Sequence, residues 1–235
     1  MLSETTRRRL ATVSTATLTT CLFKRGFRNS FVQNVHRINP QAGPMVGEAY
    51  TLRFIPAPED IDVLDAYRDP KHPQRWAVEN CPPGHVLVID SRKDARAASA
   101  GDILLTRLMV RGVAGVVTDG GFRDTPEIAK LAIPAYHQRP SPPTGPVLHH
   151  AADVQLPVGC GDVAVYPGDI VVGDAEGVVV IPAHLADEIA EEAVDMTRYE
   201  SWVEEQVRAG RPLPGIYPAT EESRAEYLAR LEALG

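Results

Sequence analysis

The chain has 235 residues, of which 44% are apolar and 23% charged. That supplies enough apolar side chain for one sizeable core and excludes global disorder. Lys and Arg number 24 against 31 Asp and Glu, a formal charge of -7. This excludes a chain-wide basic face for sequence-independent nucleic-acid binding. A small anionic ligand stays open, because one arginine in a cleft can reverse the local field.

No apolar run approaches the roughly 20 residues that span a bilayer, so no membrane partner is expected. Cys21, Cys81 and Cys160 form neither a C-x-x-C pair nor a metal-type spacing. They read as small buried apolar side chains of a protein kept in a reducing compartment. The N-terminal MLSETTRRRLATVSTATL lacks an apolar signal-type run and reads as the first helix of the mature domain, which gives a cytoplasmic location.

In chain order, apolar side chains at Leu10, Val13, Leu18, Cys21 and Leu22 predict one helix over 4–25, stopped at Gly26. Residues 45–55 predict a strand, and the proline-marked stretch that follows predicts a short helix and a loop. Pro82-Pro83-Gly84 then opens a buried strand over 85–89. The polar connection SRKDARAASAGD leads to a helix over 103–111, closed by Gly112, and to a buried strand over 113–118. DGGFRD reads as a glycine-rich turn, 125–131 as a short helix with Pro126 near its start, and 133–137 as a strand.

QRPSPPTGP reads as an exposed loop, and 154–181 as strands and turns. Helical spacing returns over 185–209, and a last helix over 220–234 opens on Thr-x-x-Ser. These elements predict an α/β layered domain over 1–184 and a helical arm over 185–235 that packs on a neighbouring subunit.

Two segments carry chemistry. Gly101-Asp102-Ile103-Leu104 opens a helix, where backbone N–H groups lack partners and the aligned peptide dipoles favour an anion. The same residues also suit an ordinary helix start. Arg123-Asp124 follows a buried strand through two glycines, at the strand end where α/β proteins place ligands. Arginine offers a planar fork to a carboxylate, and one aspartate with waters suits Mg²⁺. An Arg–Asp pair capping the next helix is the alternative.

The run G-D-x-L-x(6)-R-G-x-A-G-V-V-x-D-G-x-x-R-D-x-x-E over 101–127 resembles the RraA-like family, and PGDIVVGDAEGVVVIP over 167–182 is similar to its other recurrent stretch. That family holds the divalent-metal-dependent 4-hydroxy-4-methyl-2-oxoglutarate / 4-carboxy-4-hydroxy-2-oxoadipate aldolases, which also decarboxylate oxaloacetate, and the regulators of ribonuclease activity. The resemblance implies a β/β/α swivelling-type fold with a C-terminal helical arm, assembled as a trimer or a pair of trimers. It implies that Gly101, Asp102, Ile103 and Leu104 hold a pyruvate-like moiety, with Arg123 pairing from the other side. Asp124 would bind Mg²⁺ or Mn²⁺, Asp102 would orient a metal-bound water, and Glu200 is a candidate carboxylate contributed to a neighbour's site.

The implied activity is a class II-type lyase cleaving a 4-hydroxy-2-oxo acid or oxaloacetate to pyruvate through a metal-stabilised enolate. The alternative is a non-catalytic regulator that binds a ribonuclease. A quinone methyltransferase is disfavoured, because no glycine-rich nucleotide loop with an acidic partner is present. Of the remaining polar residues, the His149-His150 pair reads as surface or turn, and His137 as a satisfied polar residue or a wall of the distal pocket. Lys93 reads as a solvated loop residue, and Asp169, Asp174 and Glu176 as turn formers.

Overall fold

The computed structural model describes residues 1–234. Helices α1 (Glu4–Leu10) and α2 (Thr15–Lys24) come first. The single helix expected over 4–25 is therefore two. Ser14 ends the first run by turning its hydroxyl onto the Thr17 N–H at 3.1 Å, as Ser3 does for Thr6 at 3.0 Å. A serine that caps the amide three residues on starts a new helix rather than continuing the old one.

Strands β1 (His36–Arg37) and β2 (Met45–Pro56) lead to a single 3₁₀ turn over Leu64–Arg68 and to α3 (Pro73–Asn80). Then come β3 (His85–Asp90), β4 (Ala98–Ala100), α4 (Asp102–Val110), β5 (Gly115–Thr118), β6 (Gly121–Phe122) and α5 (Thr125–Ile128). Next are β7 (Ala135–His137), β8 (Arg139–Pro140), β9 (His149–Val154), β10 (Val158–Cys160), β11 (Val163–Val165), β12 (Ile170–Gly173) and β13 (Val178–Ile181). Helices α6 (Ala186–Arg208) and α7 (Glu221–Leu234) end the described chain. Among the described residues no helix is long and apolar enough to cross a membrane.

The main sheet runs β1-β7-β5-β3-β2-β12-β13. β3, β5 and β7 are parallel, as the two βα units require. The long β2 pairs with β12 through its first half and with β9 through its second. Alternate side chains of β3 enter different cores. Leu87 and Ile89 pack with Leu105, Leu108 and Ile128 under the helices, while Val86 and Val88 pack with Val163, Val165 and Val180 on the other face. Burial on both faces is why HVLVID reads as a continuous apolar run.

A second, three-stranded sheet, β4-β6-β8, is parallel throughout and lies inside segments expected to be connection, turn and loop. Strands of two or three residues carry no measurable periodicity, so the local sequence does not announce them. Their backbone bonds nevertheless set the neighbourhood of the site.

A third cluster joins Leu10, Leu18, Cys21 and Leu22 of the first helices to Ile189, Ala190 and Ala193 of α6 and to Val179 and Ile181. Further along, Tyr199, Trp202, Val203, Ile216 and Tyr227 form a small cluster of their own. Thr220 and Ser223 cap α7 reciprocally, each hydroxyl accepting the other's N–H at 3.2 and 2.9 Å.

Candidate functional site

The site is built where β4 and β6 end side by side. The Arg123 N–H donates to the Ala100 carbonyl at 3.0 Å, which carries the β4–β6 ladder one residue further. Gly101 is thereby set against Arg123 and Asp124. A Cβ on Gly101 would stand 2.8 Å from Asp124 Oδ2 and 2.9 Å from Arg123 Cγ. The glycine's backbone is extended (φ -131°), so close approach, not torsion, is what demands it. Asp124 is held at φ 56°, a left-handed conformation that aspartate tolerates better than most residues.

The side chains meet in the same place. Arg123 Nε donates to Asp124 Oδ2 at 3.1 Å, with both side chains part-exposed. Asp102 opens α4, and its Oδ1 accepts from the Ile103 N–H at 2.8 Å. Leu105 and Leu108 bury the inner face of α4, while Ile103 is 78% exposed on the cavity side. One cavity of about 360 Å³ is lined by Gly101, Asp102, Ile103, Leu104, Arg123 and Asp124 together. The residues expected from the 101–104 and 123–124 segments thus line one cavity, and Glu200 does not.

Beneath that wall the strand ends are locked by buried polar groups. The hydroxyls of Ser91, Ser99 and Thr118 lie 2.7–3.0 Å from one another. The buried Asp119 carboxylate accepts from the N–H groups of Ser91, Lys93 and Gly161 at 2.6, 3.1 and 3.1 Å. Burial pushes its pKa up, and those three donors act in the opposite direction.

Other expectations come out differently. His149 is not a surface residue. It is 3% exposed in β9, stacked on Phe54 with Nε2 3.1 Å from the Ala97 carbonyl. β9 pairs across β2, which gives this histidine an interior face that its polar neighbours do not signal. His150, on the opposite face, meets Asp62 at 2.9 Å. His137 is a satisfied buried residue, not a cavity wall: its Nδ1 accepts from the Phe122 N–H at 3.4 Å, and its ring stacks on Phe122. Asp174 does more than form a turn, accepting from the N–H and hydroxyl of Thr15 to cap α2. Glu200 lines a separate groove between α2 and α6 with Ser14 and Val203, away from this cavity within one chain.

Sequence reasoning missed Tyr67, Gln74, Arg75, Thr144 and Gly145, which also line the cavity. Tyr67, Gln74 and Arg75 come from a segment with no motif, and Thr144 and Gly145 from a proline-rich one. Only the tertiary fold brings them to the site.

Among the described residues no group of three or more His, Cys, Asp or Glu side chains is arranged to hold a metal. Asp102 and Asp124 supply two carboxylates to one cavity wall, a donor set that fits Mg²⁺, which is commonly held by one or two carboxylates together with water and substrate oxygens.

Comparison with known proteins bears on the family and the fold. Over 121 residues the chain is 36% identical to a Halalkalibacterium halodurans protein named "Putative 4-hydroxy-4-methyl-2-oxoglutarate aldolase", a match covering 50% of this chain and 55% of that one. The chain thus spans about half the length of that curated relative. The crystal structure of Streptomyces coelicolor RraAS2, described as an unusual member of the RNase ES inhibitor RraA protein family, superposes with a TM-score of 0.76 at 30% identity. That superposition covers 86% of this chain and 97% of that one. A Geobacillus kaustophilus structure titled S-adenosylmethionine: 2-dimethylmenaquinone methyltransferase gives a TM-score of 0.56 at 28% identity, over 72% of this chain and 94% of that one. The family model described as RraA-like, Aldolase/RraA, matches residues 11–180, and the chain belongs to that family.

Proposed function

We propose that the protein is a divalent-metal-dependent carbon–carbon lyase that releases pyruvate from a 4-hydroxy-2-oxo acid or from oxaloacetate. The observation that carries this reading is the meeting of Gly101 with Arg123 and Asp124 at the mouth of α4, in one cavity. The substrate's carboxylate would lie at the first turn of α4, where the helix dipole favours an anion, taking over the Ile103 N–H that Asp102 Oδ1 holds at 2.8 Å. Gly101, having no Cβ, leaves the approach open. Arg123 would grip the same end of the substrate from the opposite strand.

Asp124 would hold Mg²⁺ or Mn²⁺, with Asp102 beside it. The cation, when bound, supplies Lewis-acid polarisation of the 2-oxo group. Breaking the C3–C4 bond leaves an electron pair that spreads from C3 onto the 2-oxo oxygen. The Arg123 guanidinium would stabilise that developing charge. Asp102 would hold the water that takes the 4-hydroxyl proton of a hydroxy acid and returns one to C3; with oxaloacetate C4 leaves as CO2 and the water only delivers a proton to C3. Among the described residues no lysine lines the cavity, in keeping with a pathway without a Schiff base.

The same reading places the working protein in the cytoplasm as a trimer or hexamer, with the 185–235 arm against a neighbour. The test mixes the purified protein with Mg²⁺ and either oxaloacetate or a 4-hydroxy-2-oxo acid and follows pyruvate. Pyruvate should appear, EDTA should abolish it, and Arg123→Ala should lower kcat/KM by about 10²-fold or more. No pyruvate from any of these acids, with EDTA making no difference, overturns the proposal.

The likeness to RraAS2 supports the second reading, a regulator that binds a ribonuclease. Capture of a ribonuclease together with absent turnover would favour it.

A further inference from the structure

The cavity holds a second guanidinium that the proposed chemistry leaves unused. Arg75, near the start of α3, lines it with Arg123. Its side chain is part-buried and lies over the Tyr67 ring, with Cζ 4.6 Å from the ring centroid. Tyr67 is itself fixed on two sides. His72 meets its ring edge-on at 4.6 Å, and a Cβ on Gly145 would come within 3.0 Å of its hydroxyl. The next residue back along α3, the buried Gln74, donates Nε2 to the Ser99 carbonyl at 2.6 Å. That bond ties α3 to β4, the strand that runs into Gly101. The platform under Arg75 and the amides of α4 are therefore parts of one braced unit.

The carboxylates around this cation are largely committed. Asp62, nearly buried, is held by His150 Nδ1 at 2.9 Å, and Asp69 accepts from the Lys71 N–H at 2.8 Å. Among the described residues no carboxylate forms an ion pair with Arg75. A guanidinium stacked on an aromatic ring keeps its fork of donors while losing rotamer freedom, so it binds a carboxylate at a lower entropic cost.

We infer that Arg75, seated on Tyr67, reads the far end of the substrate and selects 2-oxo acids that carry a second carboxylate there. This rests on the proposed use of the cavity as a 2-oxo acid site. Arg75 is a specificity residue in this account: it touches the end of the molecule that departs, while Arg123 and Asp124 act at the end that becomes pyruvate.

The test is a calorimetric titration of the full chain with Mg²⁺, using two inert acids of one five-carbon skeleton: 2-oxoglutarate and 2-oxopentanoate, which ends in a methyl group. The diacid should bind about tenfold more tightly, the scale of one charge-assisted hydrogen-bonded contact. Arg75→Ala should remove that advantage, and Arg75→Lys should keep part of it. Equal binding of the two acids by the wild type would overturn the inference while leaving the proposed lyase intact. So would an Arg75→Ala variant that loses affinity for both acids by the same factor, the result of a merely structural role. Binding of neither acid would overturn the reading of the cavity as well.

Discussion

At Gly101 the absence of a Cβ is what lets the backbone lie against Arg123 and Asp124. A Cβ there would press on Asp124 Oδ2 and on the Arg123 side chain, both of which sit at the mouth of the cavity. Those side chains can shift, so the fold should survive Gly101→Ala. Their displacement should not be harmless, since misplacing catalytic groups by about 1 Å can cost roughly 10²-fold. Gly101→Ala is therefore expected to lower pyruvate release by at least about tenfold while the melting temperature moves by only a few degrees. His137 gives a prediction of another kind. Burial pushes its pKa from the ordinary 6.5 down to about 4, with His36 adding to the effect. The folded state holds it neutral, so its stabilising role is complete above pH 6.5 and is lost as pH falls through about 4. His137→Gln keeps an acceptor for the Phe122 N–H and removes the titration. Its urea midpoint should fall less steeply than the wild type's between pH 6.5 and pH 4.5. An identical slope would contradict the assignment.

Among the elements, α4 and the strands β3 and β5 were the most legible, and the small β4-β6-β8 sheet the least. Leu105 and Leu108 recur at helical spacing, and Gly112 (φ 77°) stops the run where a stop was expected. The alternation of β3 between two cores was hidden, because a strand buried on both faces loses its period of two. The β4-β6-β8 sheet was not legible at all, yet its ladder is what carries Gly101 to Asp124. The pairing of Gly101 with Arg123-Asp124 could be named from a family pattern, but its physical cause lay in bonds between segments too short to show themselves. Arg75 and Tyr67 were missed for the same reason: their place in the cavity lining depends on tertiary contacts such as the bond that ties α3 to Ser99. The buried face of α4 can be tested directly. Leu105 is fully buried, and Leu105→Ala should destabilise the protein by about 2–5 kcal/mol in urea unfolding, through lost burial and the cavity left behind. A loss below about 1 kcal/mol would mean that α4 is not packed as described.

The whole molecule divides its labour between a two-faced sheet and a helical flank. The first half of α6 packs into the same cluster as α1 and α2, and the second half carries a separate aromatic cluster. There the Tyr199 hydroxyl donates to the Ile216 carbonyl at 2.7 Å, and the Arg224 guanidinium covers the Tyr199 ring at 4.2 Å. Sedimentation equilibrium should return three or six times the mass of the chain, and a monomer at micromolar concentration would contradict the proposed assembly. Against the chain's net charge of -7, the local field of Arg123 and Arg75 is what would draw the proposed anionic substrate to the cavity. The most direct test is a crystal structure of the protein soaked with Mn²⁺ and pyruvate. The account predicts an anomalous manganese peak on the Asp124 carboxylate and the pyruvate carboxylate between Arg123 and the first amides of α4. Manganese or pyruvate bound elsewhere, with this cavity filled only by solvent, would contradict it.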